Sequence, residues 1–158
     1  MKKIIIVLFI FVTGFILSAL YTKNERIKYG EDIEFIQSSF PDIPEIESCH
    51  YKVKKIGSFF SDFIGPSNYH ITAVIIIDSD EMDMIANQYV GEKRHKYNED
   101  EQITIEIEHR LIDNTSIDDE MIWTYNQEFK TNTLGWRYVG EVYYLEEENA
   151  IYIDAENL

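Results

Sequence analysis

Residues 69–89 read YHITAVIIIDSDEMDMIANQY and join an apolar strand to a helix almost without a loop. Five apolar residues run unbroken from Ala73 to Ile77, a pattern typical of a strand covered on both faces of its sheet. The period changes at Asp78, which has capping-box spacing with Glu81. Apolar residues then recur at helical intervals as far as Gly91, which can end the helix. The stretch predicts a central strand followed by an amphipathic helix.

Composition indicates a single acidic domain. At 158 residues, 45% of them hydrophobic, the chain can bury one ordinary core. Residues 1–20 contribute only Lys2 and Lys3, so the rest carries 12 basic against 29 acidic side chains. Such a surface disfavours nucleic-acid binding and membrane attachment through a basic patch, because it repels phosphates. Its counterparts are metal ions, basic peptides and basic proteins, although an acidic surface also serves solubility alone.

The N-terminus has the pattern of an export signal. Lys2 and Lys3 precede an uncharged apolar run from Ile4 to Leu20, with the basic end held on the cytoplasmic side. Cleavage after Ala19 would put the bulky Leu17 where signal peptidases favour small residues. An uncleaved anchor is therefore an alternative to a cleaved signal peptide.

These features predict two regions. Residues 1–21 form a signal peptide or N-terminal membrane anchor, and residues 22–158 form an extracytoplasmic domain, membrane-anchored or secreted. If uncleaved, residues 4–20 contact the cytoplasmic membrane. The single cysteine, Cys49, cannot form an internal disulfide, and its place in an alternating strand favours a buried apolar role.

The remaining patterns predict the other elements of the domain. An apolar stripe between Glu31 and Phe40 indicates a short helix, and strict alternation from Gln102 to Leu111 indicates a strand with one wet face and His109 facing inward. From Ser116 to Phe129, apolar residues recur every four positions, which favours a helix, although Met121 to Tyr125 also alternates as a strand would.

The C-terminal region has the pattern of a β-hairpin. Aromatic and β-branched residues dominate Tyr138 to Leu145 and Ala150 to Asp154, and Asn149 can take a left-handed conformation in the turn. Gly140 within the first strand indicates a bulge or a close backbone contact. Together the elements predict an α+β fold: a single domain with a mixed or antiparallel sheet of about five strands against two or three helices, preceded by the membrane segment.

One acidic stretch offers a candidate catalytic site. AVIIIDSDEMD resembles the first motif of haloacid-dehalogenase-type phosphatases, which implies Asp78 as nucleophile and Asp80 as acid/base, with Mg²⁺. That motif continues with a Gly-Thr type turn, whereas Glu81 and Met82 follow here. The pattern therefore favours a capped helix whose acidic first turn suits the helix dipole.

The sequence contains no motif for a zinc site or for a phosphate-binding loop. The histidines at 50, 70, 95 and 109 have neither i, i+4 spacing nor a Cys-x-x-Cys companion for zinc. Glycine-rich phosphate loops are also missing from the sequence. We therefore expect no cofactor and assign neither catalytic nor binding residues.

Two functions remain open. The first is a non-catalytic module of the cell envelope that binds a basic protein or peptide through its acidic surface and its 11 tyrosines. The alternative is a small metal-dependent envelope hydrolase that uses Asp78, Asp80 and Asp83, or His70 and His109 if the fold brings them together. Of the two, the sequence favours the non-enzymatic module.

Overall fold

The computed structural model describes residues 26–56, 68–90, 101–118 and 120–158. Within them the strands are, in chain order, β1 Arg26–Gly30, β2 Ile46–Ile56, β3 Asn68–Ile77, β4 Glu101–Thr104, β5 Ile122–Tyr125, β6 Tyr138–Leu145 and β7 Ala150–Asn157. They form one seven-stranded sheet in the order β1-β2-β3-β7-β6-β5-β4. Every neighbouring pair is antiparallel.

The α-helices of the described residues are α1 Ile33–Ser39, α2 Ser79–Val90 and α3 Gln127–Leu134. Each of these helices is preceded by a short polar side chain that caps it. Asp32 accepts a hydrogen bond from the Phe35 amide, and Asp78 accepts one from the Asp80 amide. Asn126 accepts hydrogen bonds from the amides of Glu128 and Phe129. Such caps satisfy amides that have no partner within the helix. Two single 3-10 turns, His109–Leu111 and Glu146–Glu148, complete the regular structure.

Helices cover one face of the sheet. Inward residues of β2, β3, β6 and β7 pack with α1, α2 and α3 in the larger of two apolar clusters. Alternation along each strand sends every second side chain to this face, which explains why Cys49 and Tyr51 are buried together. Burial raises the pKa of the Cys49 thiol to about 11, so Cys49 has the apolar role expected from the sequence.

An irregular segment covers the middle of the other face. Residues 105–118 and 120–121, which we call the irregular segment, contribute Ile107, Leu111 and Ile117 to a second apolar cluster with Val74 and Trp123. Because the 3-10 turn at His109–Leu111 is the only regular element described in that segment, side chains rather than a helix face close this side. β3 is therefore covered on both faces, as its unbroken apolar run predicts.

The predicted fold is wrong in its architecture. The expectation was an α+β domain with about five strands, whereas the described residues form a seven-stranded antiparallel sheet with three α-helices. The two described strands that the prediction lacked are short: β1 has five residues and β5 has four. Strands so short carry little periodicity, and their pairing partners stabilise them more than their own sequence does.

Two local predictions also fail. The helix expected over Ser116–Phe129 is instead a loop followed by β5, Asn126 and the start of α3. The strand expected over Gln102–Leu111 ends at Thr104, and His109 is exposed instead of facing the core. Leu111 is nevertheless buried, because it belongs to the irregular cover.

The unit that joins β3 to α2 and the C-terminal hairpin are confirmed. The turn between β6 and β7 includes Asn149 in the left-handed region, with φ 52° and ψ 37°. A Cβ atom at Gly140 would lie 2.1 Å from the carbonyl oxygen of Asp154, which confirms the predicted close backbone contact. The predicted short N-terminal helix is α1, in which Ile36 is buried.

The predicted membrane segment at residues 4–20 lies outside the described residues. Among those that are described, helices long and apolar enough to cross a membrane are not found.

Candidate functional site

The irregular segment covers only part of the sheet face opposite the helices. Beside it, part of that face is exposed to solvent. Its exposed or partly exposed side chains come from β3, β7 and β6, whose registers place Thr72 opposite Asp154 and Asp154 opposite Glu141. We call this surface the open face and define it by six residues: His70, Thr72, Glu141, Tyr143, Asp154 and Glu156.

A lysine of α3 lies at the border of the open face. The ammonium of Lys130 donates to Glu141 Oε1 at 2.9 Å and lies 5.6 Å from the centroid of the Tyr125 ring. Desolvation lowers the pKa of Lys130, but the hydrogen bond to Glu141 and the field of Tyr125 outweigh it, and the pKa is raised. A carboxylate and a tyrosine ring together therefore hold an ammonium group here.

A second lysine is held in the same manner nearer β1. The ammonium of Lys52 donates to Glu108 at 2.5 Å, and the Tyr29 hydroxyl donates to the same carboxylate. These two hydrogen bonds lower the pKa of Glu108. The guanidinium of Arg110 lies 4.1 Å from the centroid of the Tyr29 ring. Carboxylate, tyrosine and cation thus meet twice on this side of the sheet.

The Asp154 carboxylate has two polar neighbours on β3. Nε2 of His70 lies 2.9 Å from Oδ1 of Asp154, and the Thr72 hydroxyl donates to the same oxygen at 3.0 Å. A nucleophile and its base need to contact each other, whereas His70 and Thr72 both contact the carboxylate. The arrangement is therefore suited to holding a charge and unsuited to relaying a proton from a hydroxyl.

Tyrosines continue from the open face towards β5. Ring centroids are separated by 5.6 Å between Tyr125 and Tyr143 and by 6.2 Å between Tyr143 and Tyr152. Burial, followed by the Glu141 carboxylate, raises the pKa of Tyr143, and burial followed by Asp154 raises that of Tyr152. Both phenols therefore stay protonated at neutral pH and offer neutral rings beside carboxylates.

The acidic residues predicted as an alternative catalytic site lie at the start of α2. Asp78 caps α2 by accepting from the Asp80 amide at 2.8 Å, and Asp80 and Asp83 are exposed. Within the described ranges, groups of three or more acidic, histidine or cysteine side chains placed to hold a metal ion are not found. Asp78 thus acts in the structure as a helix cap.

The described histidines lie in three different environments. His70 contacts Asp154, and Nδ1 of His50 lies 3.3 Å from Glu31, whereas His109 is exposed at the start of its 3-10 turn. His95 lies outside the described residues. The suggested pairing of His70 with His109 therefore gains no support from a shared partner.

A separate cleft opens between α1 and the sheet. Its volume is about 390 Å³, its apolar walls include Phe35, Val53 and Ile71, and Lys28 and Lys55 contribute charge. Tyr51 also lines it, and burial raises the pKa of this phenol. The cleft is more apolar than the open face and lies on the opposite side of the sheet.

Sequence analysis identified the acidic, tyrosine-rich character of the surface but missed its arrangement. The pairs Lys130–Glu141 and Lys52–Glu108 join residues 11 and 56 positions apart. Alternation in β2 did place Lys52 on the face opposite Cys49, which is the one available signal. The partner carboxylates depend on strand order and on the path of residues 105–121.

The residues described above define a single-sheet domain with one helix-covered face and one half-open face, on which the domain's own lysine and arginine side chains contact carboxylates and tyrosines. No protein-family model matches the chain, and no curated protein or solved structure is detectably similar to it. The function must therefore be argued from the chemistry of these residues.

Proposed function

We propose that residues 22–158 form a non-catalytic binding domain of the cell envelope that takes up a basic protein or peptide on its open face. Residues 1–21 direct the domain out of the cytoplasm and either anchor it or are removed. The observation that carries this proposal is the setting of Lys130, whose ammonium contacts both Glu141 and the ring of Tyr125. A lysine of a bound peptide would repeat on the open face the contacts that Lys130 makes with a carboxylate and a tyrosine ring.

The spacing of the open face suits an extended ligand. Asp154 and Glu156 are two residues apart on β7, a separation of about 7 Å in a strand. An extended peptide repeats its side chains on one face at the same interval. Basic residues at alternate positions of a ligand can therefore meet both carboxylates, while Tyr143 offers its ring beside them.

The charge of the domain supports the same class of partner. Acidic side chains outnumber basic ones in the sequence by 29 to 14, which steers a cationic ligand towards the surface and speeds its association at low salt. Long-range attraction alone does not specify a site. The proposal requires that the carboxylates of the open face contribute more than equally exposed carboxylates elsewhere.

Titration with a basic peptide tests this requirement. The full chain in phosphatidylcholine nanodiscs is titrated with a peptide that alternates lysine and serine, and the Kd is measured by calorimetry. The double variant D154N/E156Q should raise the Kd by about two- to five-fold per lost carboxylate, the range of exposed ion pairs. High salt should also raise the Kd of the wild-type chain, because salt screens the attraction between the charges.

The matched control is D80N/D83N on α2, which removes the same formal charge from exposed positions away from the open face. The control should leave the Kd nearly unchanged. Equal weakening by both double variants would mean that the peptide senses net charge only, and would contradict the proposed site. Absence of binding at low salt would contradict the proposed class of partner.

A further inference from the structure

The exposed apolar side chains gather at one end of the sheet. The register places Ile27 beside Lys54 and Tyr69 beside Lys55, and the amide of Leu158 donates to the carbonyl of Arg137. Of the eight large apolar side chains that are exposed within the described residues, five lie at this end: Ile27, Tyr69, Trp136, Val139 and Leu158. Trp136 is the most exposed of them, at 82%.

Basic residues lie among these apolar side chains. Lys54, Lys55 and Arg137 neighbour them in register or in sequence, and the Arg137 guanidinium lies 5.4 Å from the centroid of the Trp136 ring. Glu156 also lies at this end, opposite Val139. We call this surface the Trp136 end and define it by Ile27, Lys54, Lys55, Tyr69, Trp136, Arg137, Val139 and Leu158.

Carboxylates gather at the opposite end of the same strands. Asp78 follows the last residue of β3, and Glu146 and Glu147 follow the last residue of β6. β3 is 10 residues long, so the two ends are about 30 Å apart. Because this distance is about four Debye lengths at physiological salt, the acidic end does not cancel the local field of the Trp136 end.

The chain enters the described domain at the Trp136 end. Arg26, the first residue of β1, pairs with Lys55, and the predicted membrane segment ends only a few positions earlier, at Leu20. A domain tethered so closely to a bilayer must turn this end towards it. Exposed tryptophan and tyrosine beside lysine and arginine is the composition that settles at a lipid headgroup region.

From this arrangement we propose that the Trp136 end docks on the surface of the membrane that holds residues 4–20, with its basic side chains against anionic headgroups and Trp136 between the lipids. The sequence alone disfavoured a basic membrane contact, because it shows the total charge and hides its separation into two ends. Docking would leave the carboxylates around Glu147 turned away from the membrane. The open face would then stand roughly perpendicular to the bilayer, with Glu156 nearest the membrane and with Asp154 and Glu141 farther from it.

This inference rests on the predicted membrane segment, so the experiment measures anchoring first. The full chain is reconstituted into vesicles of phosphatidylcholine and phosphatidylglycerol, and flotation reports whether the chain is held by the bilayer. Acyl chains brominated next to the headgroup then quench tryptophans that reach the lipid. Trp123 is fully buried, so subtracting the emission of the W136F variant isolates the signal of Trp136.

Docking predicts that Trp136 emission is strongly quenched and shifted to shorter wavelength in these vesicles. A tryptophan at the far end, E147W in the W136F background, is the positional control and should stay unquenched. Neutralising Arg137 (R137Q) should lower the docking equilibrium constant about five-fold, the effect of one basic residue near an anionic surface, whereas E146Q at the far end should leave it unchanged.

Each contrary result would overturn a particular part of the docking proposal. If the chain floats but Trp136 keeps its aqueous emission, docking is wrong while anchoring stands, and the Trp136 end becomes a surface for a protein partner. If the chain does not float, the membrane segment and docking are both wrong. Equal quenching in vesicles without phosphatidylglycerol would overturn the role of anionic headgroups.

Discussion

On one face of the sheet three helices lie over a continuous apolar layer, whereas on the other face an irregular segment covers the middle and leaves polar side chains at its border. A helix supplies a regular stripe of side chains that fills the grooves between strands. Residues 105–121 supply individual anchors such as Ile107 and Leu111 and are closed by polar contacts such as Lys52 with Glu108. The helix-covered face thus contains most of the buried apolar core, and the irregular face carries exposed polar groups.

The largest expected effect comes from deleting one buried aliphatic side chain on each face. Ile153 and Leu111 are both fully buried, Ile153 under the helices and Leu111 in the irregular cover. We expect I153A to cost about 4 kcal/mol of unfolding free energy and L111A about 2 kcal/mol, because an irregular segment relaxes into the cavity more readily. Urea titrations of both variants measure the difference. Equal costs would show that the two covers are equally rigid and would remove the distinction.

A smaller effect concerns backbone spacing on β6. Because a Cβ at Gly140 would meet the backbone of Asp154 and Ala155, G140A should destabilise the protein by about 2–3 kcal/mol. Gly135 provides the control, since a Cβ there meets nothing within 4 Å and only its φ of 57° resists alanine. G135A should cost about 1–2 kcal/mol. A thermal melt in which G135A is the more damaging would contradict the tight contact between β6 and β7.

The smallest effect is electrostatic and belongs to the irregular face. Replacing Glu108 by glutamine (E108Q) removes a largely exposed ion pair, so we expect a loss of less than about 1 kcal/mol at neutral pH. The pKa of Glu108 is lowered from 4.5 in the folded state, so its stabilisation is complete above pH 4.5 and is lost as the pH falls through the lowered value. The difference in Tm between wild type and E108Q should therefore vanish in acid. A difference that persists there would mean that packing, and not charge, is responsible.

The sequence predicts correctly the elements in which several local signals agree within a few residues. The unit that joins β3 to α2 and the hairpin of β6 and β7 were predicted correctly because strand alternation, caps and turn residues agree within short windows. β5 was missed because Met121 and Tyr125 fit a helix and a strand equally, and pairing of Trp123 with Ile103 settles the choice. Tertiary contacts of this kind are invisible in a window of sequence.

The same limit applies to the proposed surfaces. The sequence shows that Lys130, Glu141 and Tyr125 exist, but their meeting depends on α3 starting beside β5. The Trp136 end requires strand order even more, since Ile27, Tyr69 and Leu158 are far apart along the chain and adjacent only in the sheet. Composition therefore predicts an acidic, tyrosine-rich domain, whereas the location of the open face and the grouping of residues at the Trp136 end depend on strand order.

The position of β7 determines when the sheet of this protein can assemble. β7 is the central strand of the sheet, and without it β3 and β6 have no common neighbour. On the ribosome, every strand before Ala150 is synthesised while the centre of the sheet is missing. β3 can pair with β2 at once, but its other edge has no partner until β7 follows. The two halves of the sheet therefore join only after residues 150–157 have emerged. Under the export that we propose for residues 1–21, a late central strand would delay folding until translocation is nearly complete.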